Sequence, residues 1–207
     1  MNDLELPKRA RPKHAAIPVA ALAILWFGML TLGAGPIDRL VLVSLYAGDV
    51  PIIASLAKAV TFLGEGEVVV LISVAAASWL LWRGRARYGL ALLAVTIAGR
   101  LLVWAQKYGI GRFRPDDEAH LVPVYSPSFP SAHSANSMIV YLAIALLLAA
   151  GTRWRRPAAA FALSLSLLIG VSRVVLGVHW PSDVIGGWAF GLLWVLVALP
   201  LAERLAR

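Results

Sequence analysis

Six apolar stretches, separated by shorter polar segments, dominate the pattern of hydrophobic and polar positions along the chain. Each is long enough, or nearly long enough, to cross the roughly 30 Å hydrocarbon core of a bilayer as an α-helix. The pattern therefore predicts an all-α integral membrane bundle of six transmembrane helices. The predicted spans are Ala15–Ala34, Val68–Trp82, Tyr88–Gln106, Ala135–Ala150, Pro157–Val175 and Asp183–Ala202.

The segment between the first two predicted spans, Pro36–Leu63, mixes charged with apolar residues. Such a mixture is typical of an amphipathic helix that lies in the membrane surface. We therefore expect an interfacial amphipathic helix at this place. A seventh, poorly formed span is the alternative. The charged positions in the segment are Asp38, Arg39, Asp49 and Lys58.

The composition supports lipid as the solvent of this chain. Hydrophobic residues make up 60% of the sequence, well above the roughly 45–50% of soluble domains. The net charge of +8 does not indicate nucleic-acid binding, because most basic residues lie in short runs beside apolar segments, as in membrane proteins. The absence of cysteine excludes disulfides, thiolate catalysis and cysteine zinc sites.

The distribution of basic residues predicts the orientation. If the N-terminus is cytoplasmic, 12 of the 19 Lys and Arg fall in cytoplasmic segments, as the positive-inside rule requires. We expect a multi-pass cell-membrane protein with both termini in the cytoplasm. Residues 1–14 would form a basic cytoplasmic tail, and residues 15–207 a single membrane domain.

The same orientation collects the remaining polar residues on the outer side. The loop Lys107–His133 and the loop Leu176–Ser182 both face outward in this topology. We therefore expect any site that they form to be extracytoplasmic, which means periplasmic in a Gram-negative cell. Seven basic residues lie outside or near the outer ends of spans: Arg39, Lys58, Arg100, Lys107, Arg112, Arg114 and Arg173.

Three of these cations, Lys107, Arg114 and Arg173, suit the binding of an oxyanion. Arginine binds phosphate with a planar fork, and lysine adds a compact point charge. Several such donors would also stabilise charge that moves onto phosphoryl oxygens during transfer. Ordinary surface salt bridges with the acidic residues 116–118 are the alternative.

The start of the fourth predicted span is a second candidate for anion binding. Ser131 follows a proline and precedes a long apolar run, so it is a good helix N-cap. The free amides of Ala132 and His133 would then point outward, where helix N-termini attract phosphate. Ser131 could also serve only as a cap, and the two roles are compatible.

Two histidines complete the chemistry. His179 and Asp183 are four residues apart, with a proline between them that favours a helix start. The carboxylate would accept a hydrogen bond from one imidazole nitrogen and leave the other free to attack phosphorus. His133 is then available to protonate the leaving oxygen. A structural histidine is the alternative for His179, but Arg173 and Asp183 nearby favour the catalytic role.

These residues form three motifs: Lys107, six residues and Arg114-Pro115; Pro130-Ser131-Ala132-His133; and Ser172-Arg173, five residues, His179, three residues and Asp183. In order and spacing they resemble the signature of the type 2 phosphatidic acid phosphatase superfamily, which also includes vanadium-dependent haloperoxidases. One position departs from the signature, since Ala132 stands where glycine is usual. Alanine keeps the amide but disfavours a left-handed backbone, and we expect a tolerated variant.

The resemblance implies a lipid phosphatase that hydrolyses a phosphomonoester or a polyprenyl diphosphate. In that family pattern His179 forms a phosphohistidine, Asp183 orients it, and His133 acts as acid and then base. No metal or other cofactor is required, and no obligate protein partner is evident. The phosphoryl oxygens would be bound by Lys107, Arg114, Ser131, Arg173 and the amide of Ala132.

Other interpretations remain open at this point. A haloperoxidase-like enzyme would use similar residues, although six spans favour a membrane-borne substrate. A transporter or non-catalytic lipid-binding protein would place its charges near the midplane of several helices. His120, with the neighbouring acidic residues, is expected to be solvated surface instead of a cation site. Gly187 and Gly191 predict close helix packing within the monomer, in preference to a dimer contact.

Overall fold

The computed structural model describes residues 16–205, and over this range the regular structure is helical throughout. The predicted all-α class is therefore confirmed for the described part of the chain. The predicted basic tail, residues 1–14, lies outside it. The helices are α1 Ala16–Leu32, α2 Pro36–Leu45, α3 Pro51–Phe62, α4 Gly66–Trp82, α5 Ala86–Ile110, α6 Ala132–Leu148, α7 Arg155–Val175 and α8 Pro181–Leu205.

Three of these helices, α5, α7 and α8, are by themselves long and apolar enough to cross a membrane. Two further pairs pass the same test only when each bent pair is taken as one span: α1 with α2, bent by 92°, and α3 with α4, bent by 42°. The helix α6 is apolar but has only 17 residues, or about 25 Å of length. Up to five spans are thus supported, and the count of six stays a prediction.

The segment Pro36–Leu63 forms two helices, where the sequence predicted one. Pro36 and Pro51 each stand in the first turn of a helix, where proline costs no hydrogen bond and its fixed φ suits the helix. The helix α3 buries Ala54 and Ala57 and packs against α7. It therefore belongs partly to the bundle, and the interfacial position of the segment stays a prediction.

A sharp turn separates α1 from α2. Ala34 adopts a left-handed conformation with φ of 62°, and its amide donates to the carboxylate of Asp38. The same carboxylate accepts from the amide of Ser182 at 2.9 Å and also from the Ser182 hydroxyl. This buried aspartate thus links the turn to the start of α8.

The centre of the bundle is α6, which packs against α5, α7 and α8. Its fully buried residues, such as Ile139 and Leu147, form one hydrophobic cluster with Leu92 of α5 and Val195 of α8. Large apolar side chains on α1 and α5 instead remain exposed, among them Ile24 and Leu101. Exposed apolar surface on helices of this kind is what contact with lipid requires.

The predicted close packing of Gly187 and Gly191 within the monomer is confirmed. A Cβ atom added at Gly191 would lie 2.8 Å from the carbonyl oxygen of Ala135 and 2.8 Å from the Cβ of Met138. At Gly187 it would lie 2.7 Å from the carbonyl oxygen of Ser131. The two glycines therefore allow α8 to approach the backbone of α6 at the point where α6 begins.

We expect Gly191→Ala to lower the stability of the protein by roughly 1–3 kcal/mol, because the added methyl forces α8 away from backbone that cannot yield. Gly28→Ala is the matched control, since a Cβ at Gly28 meets nothing within 4 Å. Thermal unfolding in detergent measures both. Equal melting temperatures for the two variants would contradict the packing described for α8.

Candidate active site

A cavity of about 270 Å³ lies where α5, α6 and α7 meet the loops around residues 111–131 and 176–180. It brings together six of the eight predicted site residues: Lys107, Arg114, Ala132, His133, Arg173 and His179. The other two, Ser131 and Asp183, are completely buried behind the cavity wall. The fold thus forms one site from residues that are up to 76 positions apart in sequence, Lys107 and Asp183.

Helix ends position most of these side chains. Lys107 and Arg173 lie in the last turns of α5 and α7. The helix α5 stops at Gly111, whose φ of 67° is left-handed and whose amide caps the carbonyl of Lys107 at 2.9 Å. Arg114 follows this turn directly. The cationic groups therefore meet at one end of the bundle.

His179 is held by its neighbours on both sides of the ring. Its Nδ1 lies 3.3 Å from Oδ2 of Asp183, and its Nε2 lies 3.2 Å from a guanidinium nitrogen of Arg114. A carboxylate beside Nδ1 favours the tautomer that carries the proton there and leaves a lone pair on Nε2. Burial, and after it the positive charges of Arg114 and Lys107, hold the pKa of His179 well below 6.5. The imidazole is therefore neutral at pH 7.

Asp183 is held by three further groups besides His179. Its Oδ1 accepts from Arg112 at 2.8 Å, and its Oδ2 accepts from the backbone amide of Trp180 at 3.0 Å and from the hydroxyl of Ser128. The ion pair with Arg112 is nearly dry, with side-chain exposures of 10% and 0%. Such a carboxylate has a fixed direction, and it fixes the ring of His179 in turn.

Carbonyl groups, not carboxylates, hold two of the three cations. Lys107 donates to the carbonyl oxygens of Pro127 and Ser128, and Arg114 donates through Nε to that of Ser126 at 2.8 Å. Burial lowers the pKa of Arg114 to about 10, so the guanidinium stays charged at neutral pH. The positive charge of Arg114 is therefore largely available to an anion.

The described residues show no salt bridges between the three cations and residues 116–118, which was the alternative interpretation. Asp117 pairs with the exposed Arg39 at 2.9 Å, and no ion pair in the described part of the chain joins residues 116–118 to Lys107, Arg114 or Arg173. The three cations are thus not neutralised by the acidic loop.

Two of the predicted phosphate-binding groups are buried without a partner. The Nε of Arg173 makes no hydrogen bond, while its NH1 donates to Thr61 at 2.8 Å. Ser131 occupies the N-cap position of α6, as predicted, but its hydroxyl makes no capping bond and has no other partner. Unsatisfied buried groups cost about 1–3 kcal/mol each, and they are reasonable where a ligand supplies the missing acceptor.

Ala132 is the first residue of α6 and lies at the cavity wall. Within residues 16–205 only Ala34 combines a side chain with a positive φ. Ala132 is therefore not left-handed, and replacing the family's usual glycine causes no backbone strain at this position.

His133 contacts a carboxylate that the sequence did not point out. Its Nε2 lies 3.4 Å from Oε1 of Glu65, the residue that precedes α4. The contact with His133 lowers the pKa of Glu65, against the opposing effect of burial, and the charge of Arg173 lowers it further. Glu65 is therefore ionised at neutral pH and lies at the cavity wall beside His133.

Sequence reasoning missed three residues that contact the histidines or Asp183, namely Glu65, Arg112 and Ser128. Arg112 carried a weak signal, since it stands two residues before the motif arginine. Ser128 lies 3.3 Å from Nδ1 of His179, and nothing in its spacing indicated this. All three act on residues of the predicted motifs instead of replacing them.

The donor set of the cavity suits an anion. In the part of the chain that the structure describes, no group of three or more His, Cys, Asp or Glu residues is placed to hold a metal ion. His120 contacts the carbonyl oxygen of Pro115 at 2.8 Å and is not among the residues at the cavity. Guanidinium, ammonium and imidazole groups instead converge there, as in sites that bind phosphate.

Comparisons with known proteins found similar phosphatases. Phosphatidylglycerophosphatase B of Bacillus subtilis is 34% identical over 152 residues, which cover 72% of this chain and 74% of that protein. Lipid A 1-phosphatase of Rhizobium johnstonii is 33% identical over 200 residues, covering 79% of this chain and 77% of its own. The crystal structure of a transmembrane PAP2 type phosphatidylglycerolphosphate phosphatase from Bacillus subtilis superposes with a TM-score of 0.82 at 28% identity, covering 90% of this chain and 96% of that one.

The family model described as PAP2 superfamily matches residues 87–207, which include all three motifs. This match and the two relatives confirm the resemblance on which the sequence expectations rested. The chain belongs to the PAP2 superfamily, that of the type 2 phosphatidic acid phosphatases.

Proposed function

We propose that this phosphatase removes the terminal phosphate of a membrane lipid, a phosphomonoester or a polyprenyl diphosphate, through a phosphohistidine at His179 on the extracytoplasmic side. One observation carries the proposal. His179 is neutral, its Nδ1 is engaged by Asp183, and its Nε2 lies beside Arg114 at a cationic cavity that His133 also lines. Such an arrangement provides a nucleophile, an acid and an anion-binding site together.

In the first step the phosphate binds among Lys107, Arg114 and Arg173, with the amide of Ala132 close by. The Nε2 lone pair of His179 attacks phosphorus, the N–P bond forms, and the bond from phosphorus to the leaving oxygen breaks. Charge that moves onto the equatorial oxygens is stabilised by the fixed cations. The proton on Nδ1 stays shared with Asp183, which stabilises the positive imidazole that develops.

His133 handles the leaving group and then water. As acid it gives a proton to the leaving oxygen of the lipid, and as base it then takes a proton from a water molecule that attacks the phosphohistidine. The N–P bond breaks, inorganic phosphate leaves, and His179 returns to its neutral form. Glu65, next to Nε2 of His133, orients the imidazole and favours its protonated form before the first step, when His133 acts as the acid.

A lipid substrate is supported by the surroundings of the cavity and by the relatives. Two of the helices that carry the site, α5 and α7, expose large apolar side chains such as Leu101 and Leu168, and the cavity lies at helix ends, where a lipid headgroup would meet water. Both named relatives act on lipids according to their names. The names differ in the lipid, so they support the class of substrate and not its identity. The distribution of basic residues supports an outward position of the site.

Phosphate release by the purified, detergent-solubilised protein tests this proposal. We expect release from at least one of phosphatidic acid, phosphatidylglycerophosphate and undecaprenyl diphosphate, with inhibition by millimolar vanadate, a mimic of pentacoordinate phosphorus. Rapid acid quench followed by neutral workup with terminally labelled substrate should leave label on His179. Label on a carboxylate would redirect the mechanism, and the absence of release from all three lipids would contradict the proposed function.

A further inference from the structure

A row of cavities leads from the active site into the space between α4 and α5. A second cavity of about 240 Å³ shares Lys107, Tyr108 and His133 with the catalytic one. A third, of about 330 Å³, shares Arg100 and Trp104 with the second and is otherwise lined mainly by apolar residues of α4 and α5. The row therefore passes from the phosphate-binding groups to a lipid-facing groove, and Arg100 stands at the junction.

The guanidinium of Arg100 lacks a partner. Its NH1 is completely buried and makes no hydrogen bond, and no ion pair in the described part of the chain involves it. Glu67 acts on it only through its charge, from an exposed position beyond ion-pair distance. An unpaired arginine inside a membrane-spanning segment is costly, and such residues are usually functional.

The position of Arg100 connects it to the reaction. It precedes Lys107 by seven residues, or two turns, on the same face of α5. Its NH2 lies next to Gly66, since a Cβ atom added there would meet it at 3.5 Å. Gly66 follows Glu65, which contacts His133. Arg100 thus lines the cavity next to the catalytic one, on the side that faces the groove between α4 and α5.

We propose that Arg100 binds a second phosphate of the substrate, the one between the scissile phosphate and the lipid chains. The inference rests on the function proposed above. With the terminal phosphate at His179 and the chains in the groove between α4 and α5, a second anionic group of the lipid reaches the junction where Arg100 stands. A lipid with one phosphate leaves this guanidinium unengaged. The second phosphate is either a phosphodiester across a glycerol bridge or the inner phosphate of a diphosphate.

The test compares Arg100→Gln with wild type on phosphatidylglycerophosphate, farnesyl diphosphate and phosphatidic acid in mixed micelles. A charge-assisted contact contributes roughly 1.5–3 kcal/mol, which corresponds to about a 10- to 100-fold loss of kcat/KM on a substrate with two phosphates. We expect less than a threefold change on phosphatidic acid. Arg100→Lys should restore part of the loss, because the charge returns without the planar fork.

Arg39→Gln is the matched control, because Arg39 is an exposed arginine of α2 that pairs with Asp117 and lines none of the three cavities described above. Melting temperatures of all variants accompany the kinetics. Selective loss on either substrate with two phosphates supports the inference. The substrate that responds shows whether Arg100 binds a phosphodiester across a glycerol bridge or the inner phosphate of a diphosphate. Equal losses on all three substrates, or none on any, overturn it while the proposed function stands. A wild-type protein that hydrolyses only phosphatidic acid overturns the inference alone. A wild-type protein that hydrolyses none of the three, nor undecaprenyl diphosphate, overturns both.

Discussion

Replacing His179 with alanine should lower the rate of phosphate release by about four orders of magnitude or more, because loss of a nucleophile removes the covalent path entirely. The protein should still fold and insert in the membrane, although the buried ring leaves a small cavity behind it. Phosphate release under saturating substrate, with melting temperature and detergent monodispersity measured on the same sample, separates the chemical effect from unfolding.

The control for this experiment is His120→Ala. His120 lies in the polar loop after the first motif, where its ring forms a hydrogen bond with the carbonyl oxygen of Pro115, and it does not line the catalytic cavity. We expect its removal to change turnover less than twofold. Wild-type turnover in the His179→Ala variant would rule out the proposed nucleophile, and equal losses in the two variants would point to a general structural effect.

The second large effect is expected for Arg112→Gln. This arginine pairs with the completely buried Asp183 and also donates to Ser182 and to the carbonyl oxygens of Met29 and Leu30 at the end of α1. Removing one partner of a buried ion pair costs about 3–5 kcal/mol. We therefore expect a clear fall in melting temperature, and a tenfold or greater fall in kcat because Asp183 loses one of its orienting bonds.

Arg112 is not among the residues at the catalytic cavity, so KM should change much less than kcat. This split is the signature of a positioning residue, because a phosphate-binding arginine would affect KM as well. Arg112→Lys should recover part of the stability but not all of the turnover, since one ammonium cannot replace a fork that reaches Asp183 and α1 together. A variant with unchanged melting temperature and kcat would contradict this role.

The sequence predicted the helical class and most helix positions because long apolar runs in a lipid-like pattern have few alternatives. The predicted span Pro157–Val175, for example, ends at the same residue as α7. It did not predict the division of Pro36–Leu63 into two helices or the turn at Ala34. Pro51, in the first turn of α3, was a local signal for that division. The turn at Ala34 instead depends on contacts with a distant segment, the bonds between Asp38 and Ser182, which no local pattern contains.

For the candidate site, the spacing of the motifs predicted six residues that the fold brings to one cavity. The pair His179 and Asp183 was accessible to sequence reasoning because its geometry is local, four residues across a helix start. The contacts of Glu65 and Arg112 were not, because they join residues 68 and 71 positions apart. The roles of all these residues in the reaction remain predictions for the experiments above.

Two contacts of the site residues come from the first 86 residues of the chain, so a shortened chain would lose them. The family match begins at residue 87, yet Arg173 donates to Thr61 and His133 contacts Glu65, both upstream of that point. A fragment limited to 87–207 would keep every motif residue but would lose these two supports. A fragment limited to the residues of the family match is therefore not expected to work as an autonomous catalyst.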